Sequence, residues 1–154
     1  MQAAKHFGAT VTAVTSARNE DFVRELGPDH VIDYQRQDFA TLGRNYDLVI
    51  DCVGNAPFSR AMRCLEPGGT LVLVAVSGLQ DILLARRNSR RSSIDVIPIN
   101  FKASKADVRF ALELFEAGTL RPVRGTTYRL EEIQRAHAHV DEGRKRGAAV
   151  LVLE

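Results

Sequence analysis

The sequence predicts an α/β protein built on a parallel sheet, and three observations carry that prediction. Short apolar runs without polar alternation recur along the chain: Asp47-Leu48-Val49-Ile50-Asp51, Thr70-Leu71-Val72-Leu73-Val74-Ala75-Val76 and Ala148-Ala149-Val150-Leu151-Val152-Leu153. A strand covered on both faces reads this way, because neither side of its pleat meets water. Between these runs stand segments whose apolar residues recur at helical spacing, and glycine or proline marks the junctions. Strands alternating with such helices form parallel sheets with helices on both faces.

In chain order, Met1 to Phe7 reads as a helix stub stopped by Gly8, and Thr10 to Val14 as the β-branched strand that follows. Phe22, Val23 and Leu26 recur at helical spacing from Asn19 to the stop at Gly27-Pro28, and Val31-Ile32 is a very short strand. The run at Asp47–Asp51 is the next strand. Pro67-Gly68-Gly69 makes a turn into Thr70–Val76, and Ile94–Ile99 is a third apolar strand that Pro98 places at an edge or an end. Ser104 with Asp107 resembles a capping box, Val108, Ala111, Leu112 and Phe115 form one stripe, and Gly118 is the stop. A further helix from Glu131 to Glu142 puts Ile133, Ala136, His137 and Val140 on one face, and the run from Ala148 closes the chain.

The bulk numbers agree with a globular domain. At 154 residues the chain can bury one core, and 45% apolar and 26% charged residues with a formal net charge of +2 exclude both a disordered chain and a strongly basic nucleic-acid binder. No apolar run reaches the ~18 residues of a membrane span, and the first residues lack the apolar stretch of a secretory signal. The expected compartment is the cytoplasm and the expected partner a small-molecule substrate, with no nucleic acid and no membrane. Cys52 and Cys64 lack zinc-site spacing and read as buried packing residues. His137 and His139, two apart on a helix, point to opposite sides, which makes joint chelation of a metal geometrically poor. Arg86, Arg87, Arg90 and Arg91 form a basic run without aromatics, which reads as a solvated helix face or loop.

Ligands of open parallel sheets lie beyond the carboxyl ends of the strands. After Val14 the chain offers Thr15-Ser16-Ala17-Arg18-Asn19, hydroxyls and a guanidinium in place of the carboxylate that would hold ribose hydroxyls. Those groups suit a 2′-phosphate, so NADP(H) is the expected cofactor. Ser16 and Asn19 are equally suited to capping a helix.

Four segments together resemble the medium-chain dehydrogenase/reductase superfamily, near its NADP-dependent quinone oxidoreductases and zinc-type alcohol dehydrogenases. They are Gly8 to Ser16, Leu26 to Tyr34, Tyr46 to Gly54, and Leu65-Glu66-Pro67-Gly68-Gly69. Leu114 to Val123 and Tyr128 to His137 continue the pattern. The resemblance implies a Rossmann-like doubly wound sheet, N-terminally truncated: its first strand and glycine-rich turn are absent, as is the preceding catalytic domain of GroES-like fold. It divides the chain into an incomplete cofactor-binding domain over 1–124 and a segment over 125–154 that would pack on that catalytic domain. By resemblance Ser16 binds the 2′-phosphate with Arg18 or Asn19 beside it, and Tyr34 holds the adenosine end. Val53 and Gly54 pass the ribose, Val74, Ala75 and Val76 lie under the nicotinamide, and Phe101 lies near the carboxamide. No catalytic and no metal-binding residue is assigned. Gly147-Ala148 stands where the family carries Gly-Lys. The implied function is the cofactor-binding part of an NADPH-dependent oxidoreductase moving hydride to or from a carbonyl, alkene or quinone. Two alternatives stay open: a non-catalytic nucleotide-binding or interaction fragment, and an S-adenosylmethionine-dependent methyltransferase, whose fold the Pro67-Gly68-Gly69 turn also suits. A sheet lacking its central strand is expected to be marginally stable and to form homo-oligomers through its open edges.

Overall fold

A computed structural model describes all residues except 44, 55, 57, 76–78, 100–102, 144, 145 and 154. The elements in order are α1 (Gln2–His6), β1 (Thr12–Thr15), α2 (Glu20–Glu25), β2 (His30–Asp33), β3 (Tyr46–Asp51), α3 (Phe58–Ala61), β4 (Leu65–Leu73), α4 (Leu79–Arg91) and β5 (Asp95–Pro98), then α5 (Lys105–Glu116), β6 (Arg124–Arg129), α6 (Ile133–Asp141) and β7 (Ala148–Val152). All strand pairs are parallel, in three sheets ordered β1-β2, β3-β4-β5 and β6-β7. The chain divides into two compact units, residues 3–104 with Met1 and residues 105–154 with Gln2.

In the first unit the core is built by the register of the three-stranded sheet. Val49 pairs with Leu71 and Leu71 with Val96, and this row is covered by Ala61 of α3, Ala85 of α4, Leu65 and Ile94. The small alanines let both helices approach the sheet closely, and Leu71 is fully buried. The Ser89 hydroxyl pins α4 to the sheet by accepting from the Val96 N–H at 2.6 Å. The alternate row, Ile50 opposite Val72 opposite Ile97, points the other way, and Ile50 and Ile97 are about half exposed. This explains the uniformly apolar strands: each face carries its own row.

The start of the chain is fixed to β1 by charge. Lys5 Nζ donates to both Asp29 carboxylate oxygens at 2.8 Å, and the same carboxylate accepts from the Val11 N–H at 2.7 Å. The Lys5 hydrogen bond first, then that of Val11, holds the Asp29 carboxyl below its ordinary value. A second latch lies between β2 and β3. Asp38 accepts from the Ala40 N–H and from Arg60 Nε at 3.1 and 2.9 Å, while the Arg60 guanidinium stacks over Phe39 at 4.9 Å. These bonds, Ala40 foremost, lower the Asp38 pKa.

Two expectations are corrected. Pro67-Gly68-Gly69 lies inside β4, which starts at Leu65, and the ladder to β3 absorbs it through a register shift between Tyr46 and Leu48. Gly69 is required there, because a Cβ would meet the Glu66 carbonyl oxygen at 2.9 Å and that of Asp47 at 3.2 Å. Cys64 is buried as expected and its thiol pKa is raised by that burial, but Cys52 is exposed. The turn built by Asp51 directs it outward. The arginines at 86, 87, 90 and 91 are exposed on α4, as expected of a solvated helix face, although apolar spacing alone does not reveal that helix.

In the second unit β6 and β7 pair with a register shift between Arg124 and Thr127, and Gly125 fits where a Cβ would meet the Arg146 carbonyl oxygen at 2.4 Å. Tyr128 is buried and its hydroxyl is hydrogen-bonded to His139 Nδ1, whereas His137 is exposed. The α5 stripe of Val108, Leu112 and Phe115 is half exposed, and Leu114 is the residue of that helix that is buried. Pro122, Val123, Thr127, Ala148, Val150 and Val152 line an apolar cleft of about 450 Å³ on this unit.

Candidate functional site

The expected site residues fall into two groups, each at strand carboxyl ends in the first unit. At the end of β1, Ser16 holds extended backbone (φ −87, ψ 154) and begins a 3-10 turn over Ala17–Asn19. The neighbouring ladder sets Tyr34 beside it: Thr15 is opposite Asp33, and the Tyr34 N–H donates to the Thr15 carbonyl at 3.0 Å. Ser16 and Asn19 both occupy helix-start positions, yet neither side chain caps the helix behind it. The Ser16 hydroxyl has no hydrogen-bond partner among the described residues, and the Arg18 side chain is exposed. Half-exposed Tyr34 adds an aromatic face at the same strand ends. Asp33 is turned to its own loop, where it accepts from the Gln35 N–H at 3.1 Å and faces Arg36 Nε at 3.6 Å.

The second group is organised by Asp51, the last residue of β3, which is 7% exposed. Its Oδ1 accepts from the N–H groups of Val53 and Gly54 at 3.0 and 2.8 Å, and its Oδ2 from that of Ala56 at 2.9 Å. A buried carboxylate needs such donors, and they draw Val53, Gly54 and Ala56 around it. Gly54 takes φ +85, in the left-handed region that favours glycine. A Cβ there would touch Ala75 Cβ at 3.8 Å, so the turn after β3 lies against the chain leaving β4. The Val74 N–H donates to the Asp51 carbonyl at 2.9 Å and completes the junction. Val53, Gly54, Val74 and Ala75 are thereby brought together, with both valines exposed. Val76 and Phe101 lie outside the described residues. Asp51 is the site residue that the sequence reading passes over; an acid closing an apolar strand three residues before a glycine is the signal that could have found it.

Among the described residues no three His, Cys, Asp or Glu side chains gather closely enough to hold a metal ion.

The Ser16 hydroxyl and exposed Arg18 at one pair of strand ends, and a glycine turn against a second pair, stand at the carboxyl ends of parallel strands, where open α/β sheets receive their ligands. A family model described as zinc-binding dehydrogenase matches residues 26–151, and the chain belongs to that family. It is 27% identical over 155 aligned residues to the chloroplast envelope quinone oxidoreductase homolog of Arabidopsis thaliana, covering 98% of this chain and 47% of that protein. It is 28% identical to the acryloyl-coenzyme A reductase of Metallosphaera sedula, over 98% of this chain and 46% of that one. The quinone oxidoreductase from Coxiella burnetii superposes with a TM-score of 0.82 at 25% identity, over 99% of this chain and 48% of its own. The chain thus spans about half the length of the relatives it matches. These likenesses favour the dehydrogenase reading over the methyltransferase one. No helix among the described residues is long and apolar enough to cross a membrane.

Proposed function

We propose that the chain is the cofactor-binding part of an NADPH-dependent oxidoreductase that moves hydride to or from a carbonyl, alkene or quinone. The reading is carried by the turn after β1, where the unpartnered Ser16 hydroxyl and the exposed Arg18 stand beside Tyr34. Ser16 and Arg18 hold the 2′-phosphate, Tyr34 covers the adenosine, and the Gly54–Ala75 junction admits the ribose and nicotinamide along backbone without a side chain in the way. The cofactor, when bound, supplies the hydride, and this chain positions it. The substrate-facing groups belong to the half of the relatives that this chain does not match, and residues 125–154 pack on that half. Titration with 2′,5′-ADP and with 5′-AMP isolates the phosphate contact from the rest of the cofactor. A charge-assisted bond contributes ~1.5 to 3 kcal/mol, so 2′,5′-ADP binds at least about tenfold tighter, and Ser16→Ala with Arg18→Ala erases the difference. Equal affinities in the unmodified chain refute the NADPH assignment. The chain alone gives no steady NADPH oxidation with quinones, enones or aldehydes; turnover above a no-protein blank contradicts the division of labour.

A further inference from the structure

We propose that the outward face of α4 docks on an anionic bilayer surface, taking phospholipid headgroups on Arg86, Arg87, Arg90 and Arg91 while Leu83 and Leu84 enter the layer beneath them. The helix has two distinct sides. Ala85 is buried and the Ser89 hydroxyl accepts from the Val96 N–H at 2.6 Å, so this i, i+4 pair faces the sheet. On the helical wheel Leu83, Arg87 and Arg90 lie together on the opposite side, with Leu84 and Arg91 beside them and Arg86 at the flank. All four arginines are exposed, and the leucines are 60% and 51% exposed. The stretch from Leu83 to Arg91 holds no acid, and among the described residues none of the four guanidinium groups has an ion pair or a hydrogen bond. The charge is also local: the formal net charge is +2 with these four arginines counted, so the remainder of the chain is −2.

Roles within the chain do not absorb these groups. A helix C-terminus attracts cations within its last turn, which serves Arg90 and Arg91 but neither Arg86 and Arg87 nor the exposed leucines. The strand-end site does not use them either. The helix leaves the carboxyl end of β4 and returns to the amino end of β5, so its arginine-bearing half stands at the end of the sheet away from Val53, Gly54, Val74 and Ala75, roughly 10 to 18 Å along the helix from Leu79. The mixture of side chains selects the partner. Nucleic acid would use the guanidinium groups, yet this stretch has no aromatic side chain for its bases, and phosphate and sugar offer nothing to Leu83 and Leu84. A protein interface gathers its apolar residues in a core depleted of charge, whereas here Arg87 lies between the two leucines on the wheel. A headgroup layer accepts both at nearly one depth: the arginine stems lie along the apolar boundary, their forks bond lipid phosphates, and the leucine methyls sink among the acyl chains. This is surface contact, since no described helix is long and apolar enough to cross a membrane. It departs from the expected absence of a membrane partner, which rested on the lack of a spanning run.

Vesicle flotation tests the proposal, because self-associated chain sinks while vesicle-bound chain rises. The purified chain is mixed with phosphatidylcholine vesicles containing about 30% phosphatidylserine, and with vesicles of phosphatidylcholine alone. The expected result is flotation with the anionic vesicles and none with the uncharged ones, lost at about 0.5 M salt where screening is severe. Each arginine at an anionic surface contributes a factor of about five, so replacing all four by alanine weakens binding at least about 100-fold, and lysines in their place restore most of it. Leu83→Ser with Leu84→Ser weakens vesicle binding about tenfold and leaves retention on heparin unchanged. If the four-alanine variant fails to fold, the serine pair and the salt and lipid dependence of the unmodified chain decide. No flotation with anionic vesicles, equal flotation with uncharged ones, or leucine replacements without effect overturns the proposal. Tighter binding to duplex DNA or to poly-glutamate than to the vesicles assigns the arginines to that polyanion and overturns it as well. No cofactor enters the measurement, so its outcome is independent of the NADPH reading.

Discussion

Asp51→Ala is expected to loosen the turn after β3 and to cost about 3 to 5 kcal/mol of stability. The carboxylate is buried and, among the described residues, accepts from the backbone N–H groups of Val53, Gly54 and Ala56, at 3.0 and 2.8 Å on Oδ1 and 2.9 Å on Oδ2. Hydrogen bonds to a charged acceptor contribute roughly 1.5 to 3 kcal/mol each, and a buried donor left unpaired costs a comparable amount. Three bonds sharing one carboxylate are not additive, and water reaching the exposed turn recovers part of the loss, which sets the lower figure. Asp51→Asn separates the contributions. Its single carbonyl oxygen can serve Val53 and Gly54, but its amide then faces the Ala56 N–H donor to donor, so about half of the loss remains. Urea unfolding followed by circular dichroism measures both, and exchange rates of the Val53 and Gly54 amides report the turn directly. The same loosening separates Gly54 from Ala75, and on the proposed function it weakens binding of the nicotinamide end of the cofactor. A cost below about 1 kcal/mol for Asp51→Ala, or equal costs for the two substitutions, refutes the assignment of Asp51 as the organiser of this turn.

Four further outcomes follow from the structure. In the folded chain one thiol, exposed Cys52, reacts rapidly with Ellman's reagent, and Cys64 reacts only on unfolding; equal rates contradict the burial that raises the Cys64 pKa. The folded pKa values of Asp29 and Asp38 lie below the ordinary 3.8, so their contribution to stability is complete above that value and is lost as pH falls through the lower folded values. Melting temperatures therefore drop below about pH 4, and Asp38→Asn flattens that drop; an unchanged profile in the variant removes Asp38 from the account. Gly125→Ala forces a Cβ to within 2.4 Å of the Arg146 carbonyl oxygen and should destabilise the β6–β7 pair by about 2 kcal/mol or more, read as lost exchange protection in β7. Finally, the edges of β1 and β3 that no strand pairs among the described residues forgo roughly eight hydrogen bonds at about 1 kcal/mol each, comparable with a whole domain's stability. The isolated chain should self-associate and melt with a concentration dependence; a concentration-independent monomer melting above about 55 °C contradicts this.

Local and periodic features were legible in the sequence. Gly8, Gly27, Gly118 and Gly143 each end a helix with a positive φ, and each is a stop that residue type alone announces. The strands at β1, β3, β5 and β7 follow from β-branched or apolar runs, and Ser16 and Tyr34 each stand just past the end of one of two paired strands. Tertiary structure decided what depends on partners distant in the chain. The helices α3 and α4 owe their places to Ala61 and Ala85 packing on Leu71 and Val96, and small residues announce no helix by themselves. Leu65 is drawn into β4 because β3 lies beside it, and Pro67-Gly68-Gly69 forms the bulge across which the ladder jumps from Tyr46–Leu65 to Leu48–Thr70, with Gly68 at φ +85. Cys52 and Cys64 sit in similarly apolar neighbourhoods and are separated in exposure by the turn that Asp51 gathers. Apolar character at Val14, Leu48 and Ile50 told that these residues belong in a covered strand; whether a neighbour covers them is a property of pairing between strands, which residue type does not encode.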